Sequence, residues 1–164
     1  MNESSPRKII TRTRAQTSSA FPSHVTSLLV PFFEVDMGHA VYHGNYYHIF
    51  ELAREDFMRK TGFPYREFLN RQLHLTLTES HCKYRKALYY EDEIEVHTAI
   101  TSMSRRNVSF SQLIYRQARN PSGGGREAEL CTECQLYMIC VRVTGQPTFL
   151  PEGFRLAVSK MLQP

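Results

Sequence analysis

The stretch Val30–Glu55, VPFFEVDMGHAVYHGNYYHIFELARE, decides how the chain folds. An apolar strand pattern, Leu28 to Phe33, leads into a turn-like piece, Asp36-Met37-Gly38-His39. A helix-period segment follows, in which Tyr46, Ile49, Phe50, Ala53 and Phe57 fall at i, i+3, i+4, i+7 and i+11. That is one continuous apolar stripe. Gly62 and then Pro64 read as the helix stop. A carboxylate, Asp36, is thereby placed between a buried strand and the start of a long, largely buried helix. Free backbone N–H groups at a helix start make a positive, donor-rich spot that suits a developing oxyanion.

Working outward, the first strand is predicted over Val25–Phe33, the central helix over Gly44–Thr61, and a short helix over Pro64–Arg71. Period-two alternation predicts strands over His74–Tyr84, Asp92–Thr101, Val108–Gln117 and Glu127–Val143. Pro121-Ser122-Gly123-Gly124-Gly125 reads as a hairpin loop, and Pro151–Leu162 as a terminal helix. A strand, an apolar helix and four more strands on short loops predict an α+β protein. So wide an apolar stripe needs a cover, and a curved antiparallel sheet of about five strands wrapped around the helix supplies it. No internal repeat or linker divides residues 25–164, which read as a single domain.

Composition narrows the function. With 164 residues, 41% of them hydrophobic, the chain suits one sizeable core. No apolar run approaches the ~18 residues of a membrane helix, so a soluble protein without a membrane span is expected. Cys82, Cys131, Cys134 and Cys140 lack the spacing of a secreted disulfide scaffold and read as reduced thiols of a cytoplasmic protein. The net charge is +4, but residues 1–24 carry +3 of it through Arg7, Lys8, Arg12 and Arg14 against Glu3. The basic balance therefore describes a disordered N-terminal extension and no nucleic-acid-binding face. No metal site is expected: His43 and His48 are five apart, about 140° around a helix. Cys131 and Cys134 form a lone CxxC inside a predicted strand, where alternation puts the two thiols on opposite faces.

Glu34-Val35-Asp36 followed by Val41-Tyr42-His43-Gly44-Asn45-Tyr46 resembles the signature of hotdog-fold acyl-CoA thioesterases of the 4-hydroxybenzoyl-CoA thioesterase type. In that family an acid stands six positions before the aromatic of such a run, as Asp36 stands before Tyr42. The family's glycine usually comes three positions after the acid, whereas Gly38 comes after two. A tyrosine that one branch has four positions before the acid is Phe32 here. In the region Tyr84–Asp92, Ala87 stands in place of a family proline and Glu91 in place of a glycine. The resemblance covers Val25 to Pro151.

The resemblance implies the hotdog fold and hydrolysis of an acyl-CoA thioester to free acid and coenzyme A. It implies Asp36 as nucleophile or general base, with a backbone N–H near His43 as oxyanion donor and the His43 side chain orienting substrate or water. Tyr42, Gly44 and Tyr46 would line the substrate, and Arg105 and Arg106 would hold the coenzyme phosphates. No cofactor is implied, coenzyme A being part of the substrate, and homodimers or homotetramers are. Two alternatives stay open. The substrate is an acyl carrier protein, or the protein is a non-catalytic acyl-CoA sensor with residues 1–24 as its effector arm.

Overall fold

The computed structural model describes residues 23–117 and 128–161; the expected disorder of residues 1–22 and the expected loop at 121–125 lie outside them. Five strands form one antiparallel sheet: β1 (Ser23–Leu29), β2 (Leu73–Tyr84), β3 (Glu93–Met103), β4 (Asn107–Gln117) and β5 (Ala128–Arg142). Their order is β1-β3-β4-β5-β2, so the strands flanking the helix in sequence become the two edges. Helix α1 (Tyr46–Lys60) lies on the sheet, α2 (Arg66–Leu69) follows it, and α3 (Glu152–Lys160) closes the chain. This is the hotdog fold.

The predicted stripe is the buried face of α1: Tyr46, Ile49, Phe50, Ala53 and Phe57 are all buried, with Met58 beside them. Against them pack the inward residues of the sheet, among them Val96, Ile100, Val108, Phe110, Ile114 and Leu136. Phe57 meets Phe110 edge to face, ring centroids 6.1 Å apart. Truncating a phenylalanine at such a contact costs about 3–5 kcal/mol. Inside this core Gln112 is fully buried. Its Nε2 donates to the Phe50 carbonyl at 2.9 Å and to Thr98 Oγ1 at 3.0 Å, while its Oε1 accepts from Arg54 Nη1 at 2.9 Å. The amide is fully satisfied and ties the helix to two strands.

Several expectations are corrected. The first strand starts at Ser23 because the His24 imidazole bonds the Asp56 carboxylate at 2.7 Å, joined by Thr26 Oγ1 at 2.9 Å. It stops at Leu29; Pro31 turns the chain, and Phe32 and Phe33 sit exposed on a 3-10 turn, Phe32–Glu34. The α-helix begins at Tyr46, after a second 3-10 turn over His43–Asn45. Cys131 and Cys134 are both buried. A bulge opposite Ile114 and Tyr115 inserts Cys131 as an extra residue and breaks the alternation.

Two positions where the family has glycine keep glycine's backbone without glycine. His39, three residues after Asp36, has φ 62°, and Glu91 has φ 61°. An L-residue there bears roughly 1–2 kcal/mol of strain. Replacing Glu91 with glycine is therefore expected to raise stability by up to about 1 kcal/mol, since glycine's extra unfolded-state entropy offsets part of the relief. Urea denaturation of the two proteins measures it, and a clear loss of stability contradicts the assignment of strain at this turn.

Candidate active site

The segment from Pro31 to Asn45 is built as a small antiparallel loop. Val35 and Val41 form a bridge, Tyr42 donates its N–H to the Glu34 carbonyl at 3.0 Å, and Asp36 N–H reaches the Ala40 carbonyl at 3.0 Å. His39 N–H closes the turn onto the Asp36 carbonyl at 3.0 Å. Within it Asp36 Oδ1 accepts the Gly38 N–H at 2.7 Å. A Cβ on Gly38 would stand 2.9 Å from the same oxygen, so the carboxylate occupies the space that the glycine leaves. The loop thus holds Asp36 in one orientation on an exposed surface.

The loop leads directly into the helix start. Asn45 N–H bonds the Tyr42 carbonyl at 2.8 Å, and the N–H groups of His43 and Gly44 fall inside that turn, where a helix makes no use of its own leading donors. The Tyr42 ring lies against Gly44, whose substituted Cβ would approach a ring carbon to 3.0 Å. The His43 ring tilts onto Tyr42 with centroids 4.2 Å apart. Tyr84 Oη donates to the His43 carbonyl at 3.0 Å. Asp36, Tyr42, His43 and Gly44 are therefore brought together on one short loop and the turn it feeds.

Glu34 is the residue that sequence reasoning missed. It is 2% exposed, two positions before Asp36, and its carboxylate accepts from His48 Nδ1 at 3.0 and 3.2 Å. Its carbonyl takes both the Tyr42 N–H and Asn45 Nδ2, the latter at 3.1 Å. One residue thereby binds the loop's start to its end and to the first turn of α1. The signal in the sequence was an acid inside an apolar strand pattern with a histidine fourteen residues on, a pairing visible only in three dimensions.

Other predicted residues lie elsewhere. Tyr46, expected to line the substrate, is a core residue: it is 3% exposed and its hydroxyl oxygen accepts the Leu88 N–H at 3.3 Å. Burial raises its phenol above the usual tyrosine range. Of its aromatic neighbours on α1, Phe50 is wholly buried, and the Tyr47 hydroxyl meets Ser80 Oγ at 2.7 Å. Arg105 and Arg106 stand at the β3–β4 turn, both stacked on Phe149 at 5.1 and 4.9 Å. The Asp36 loop adjoins the other end of β3, where Val30 pairs with Asp92 and Glu91. Eleven strand residues separate the two ends, a span of about 35 Å. One chain does not bring these arginines to its own Asp36. Of the basic residues after β2, Arg85 pairs with Glu133 at 3.0 Å and Lys86 with Glu129 at 3.5 Å.

The surface around Asp36 is apolar. Phe32, Phe33 and Met37 are 73%, 76% and 97% exposed, and Tyr42 and Tyr90 are about half exposed. A groove of about 350 Å³ runs beside α1, between Tyr47, Glu51, Arg54 and Met58 of the helix region and Leu75 and Leu77 of edge strand β2. Asp36 does not line it. Among the described residues no helix is long and apolar enough to cross a membrane.

A sheet wrapped on one helix, with an acid on the loop feeding that helix, defines a thioesterase-like architecture. The chain belongs to the Thioesterase-like superfamily, whose model matches residues 30–158. An Aquifex aeolicus protein with a provisional esterase name is 38% identical over 88 residues, 54% of this chain and 69% of that one. The acyl-CoA thioester hydrolase YbgC of Escherichia coli is 25% identical over 121 residues, 73% of this chain and 84% of YbgC. The DHNA-CoA thioesterase of Staphylococcus aureus superposes with a TM-score of 0.73 at 27% identity, over 84% of this chain and 89% of that one.

The Glu34 clamp is testable by itself. Glu34→Ala is expected to lower stability by about 1–3 kcal/mol, as for a lost charge-assisted bond, and to speed hydrogen exchange at the Tyr42 amide. Glu34→Gln, which keeps an acceptor for His48, is expected to recover most of both. Unchanged exchange at Tyr42 in the alanine variant contradicts the clamp.

Proposed function

We propose that the protein hydrolyses an acyl-CoA thioester to a free acid and coenzyme A, with Asp36 as nucleophile or general base. The observation that carries this reading is the loop itself. It presents a carboxylate, oriented by the Gly38 N–H, at the head of a helix whose leading amides at His43 and Gly44 are available as donors. Attack at the thioester carbon, by the carboxylate or by water it deprotonates, moves negative charge onto the carbonyl oxygen. Amides at a helix start stabilise that charge without reorganising, and the thiolate then leaves. The kinship with acyl-CoA thioester hydrolases supports this choice of leaving group.

The site of one chain is open to water, and its apolar surround gives it the makings of a covered one. In this reading a second copy of the chain, in a dimer or tetramer, covers Phe32, Phe33 and Met37 and contributes Arg105 and Arg106 to the coenzyme phosphates. His43 orients substrate or water, and the Tyr42 ring on Gly44 forms part of the acyl wall. An acyl carrier protein as substrate keeps the same chemistry and is recognised by failure of free coenzyme A to compete.

Thiol release measured over a panel of acyl-CoAs is expected to fall at least about 100-fold in kcat for Asp36→Asn, with the fold intact by circular dichroism. Gly38→Ala is expected to lower kcat as well, by displacing the carboxylate, while changing stability by less than about 0.5 kcal/mol. Wild-type turnover in Asp36→Asn removes Asp36 from the mechanism. Tight acyl-CoA binding with no turnover by the wild-type protein makes it a sensor. Single turnover in heavy-oxygen water tests the nucleophilic role, because label that enters the Asp36 carboxylate before the product requires an anhydride between Asp36 and the acyl group.

A further inference from the structure

The CxxC motif singles out Cys131 and Cys134, but the sheet gives Cys134 a different partner. In the β2–β5 ladder Cys82 stands directly opposite Cys134. Arg85 donates its N–H to the Cys131 carbonyl at 2.8 Å, which makes that pair a hydrogen-bonded one. Antiparallel pairs alternate, so three steps back Cys82 and Cys134 form a non-hydrogen-bonded pair, the kind with Cα atoms about 4.5 Å apart and side chains close. That separation lies within the range a disulfide spans, about 4.4–6.8 Å. Directly opposed residues of an antiparallel pair point their side chains to the same face of the sheet, so the two thiols are cross-strand neighbours. Cys140 faces Leu75 across the same ladder, so it has no such partner.

We propose that Cys82 and Cys134 are a redox-active dithiol that closes to a cross-strand disulfide on reaction with a low-molecular-weight disulfide. Cys82, partly exposed on the edge strand, attacks first. The Cys134 thiol opposite it, helped by Tyr84 and opposed by burial, brings its thiol down to about 7. Its thiolate sulfur bonds to one sulfur of the incoming disulfide, whose S–S bond breaks and releases one thiolate. Cys134 is buried, and its thiol is raised by the contact with Cys82 and by burial. Once Cys82 is a neutral mixed disulfide the repulsion between the two sulfurs is gone. Cys134 then gives up its proton, bonds to the Cys82 sulfur and expels the second thiolate, which is protonated. Two cysteine thiols are oxidised, and one small disulfide is reduced to two thiols.

The pair lies close to the helix start. The Tyr84 hydroxyl has a single proton, which it donates to the His43 carbonyl at 3.0 Å and for which a Cys82 thiolate competes. Closing the disulfide removes that competitor. Cysteine pairs of this kind inside reducing compartments are transient and redox-sensing in most cases.

The test treats the full-length chain with oxidised glutathione and then counts thiols after denaturation. Of the four cysteines, two are expected to be lost, with Cys82 and Cys134 peptides joined and no glutathione retained. Cys131→Ser is expected to lose a pair likewise. Cys134→Ser is expected to stop at a glutathione adduct on Cys82, and Cys82→Ser to lose no thiol; circular dichroism checks that both are folded. The wild-type rate should level off above about pH 7. A wild-type protein that keeps its four thiols, holds a stable adduct, or joins any other pair overturns the proposal. None of these readings depends on thioester hydrolysis.

Discussion

The burial of α1 against the concave face of the sheet is the constraint on which everything else rests. Hydrophobic burial alone is non-directional and would tolerate the helix sliding or turning by part of a residue. Gln112 removes that freedom. Its amide, wholly inside the core, binds the Phe50 carbonyl on the helix, Thr98 on β3 and Arg54 on the next helical turn. A slip of the helix along its axis would leave a buried amide unsatisfied and part it from the half-buried Arg54 guanidinium. The helix start therefore stands at one place relative to the sheet.

That position is passed on to the candidate site through Leu88. Its N–H caps the buried Tyr46 hydroxyl, and its carbonyl accepts the Val41 N–H at 2.8 Å. The turn that presents Leu88 is itself held by Arg116, which reaches the Ala87 carbonyl at 3.0 Å, Asp92 at 3.3 Å and Glu129 at 2.5 Å. With Glu34 binding the other side of the loop, the segment carrying Asp36 is fixed from the helix, from the β2–β3 turn and from its own first residue. An exposed carboxylate is thus carried by a rigid support, which is what chemistry at a loop requires.

The polar groups divide by location. Those turned toward the core, Gln112, Arg54 and Tyr46, bond internal partners and serve position. Those on the loop, Asp36, His43 and Tyr42, face outward among exposed aromatics and have capacity to spare. Cys82 and Tyr84 lie between the two sets, on an edge strand that faces the helix start.

Periodicity made the core legible in the sequence, because a 3.6-residue stripe and period-two strands each describe one element's own buried face. The positions of Asp36, Tyr42, His43 and Gly44 on one loop were legible too, since they are neighbours in the chain. Tertiary structure alone decided the rest. Strand order placed β1 and β2 at opposite edges, carried Arg105 and Arg106 to the far end of β3, and set Cys82 against Cys134 instead of the adjacent CxxC partner. It also buried Glu34 against His48 and closed Tyr46 into the core. The reason is physical: periodicity records which side of an element is apolar, while partners distant in sequence depend on register and packing that no single segment encodes.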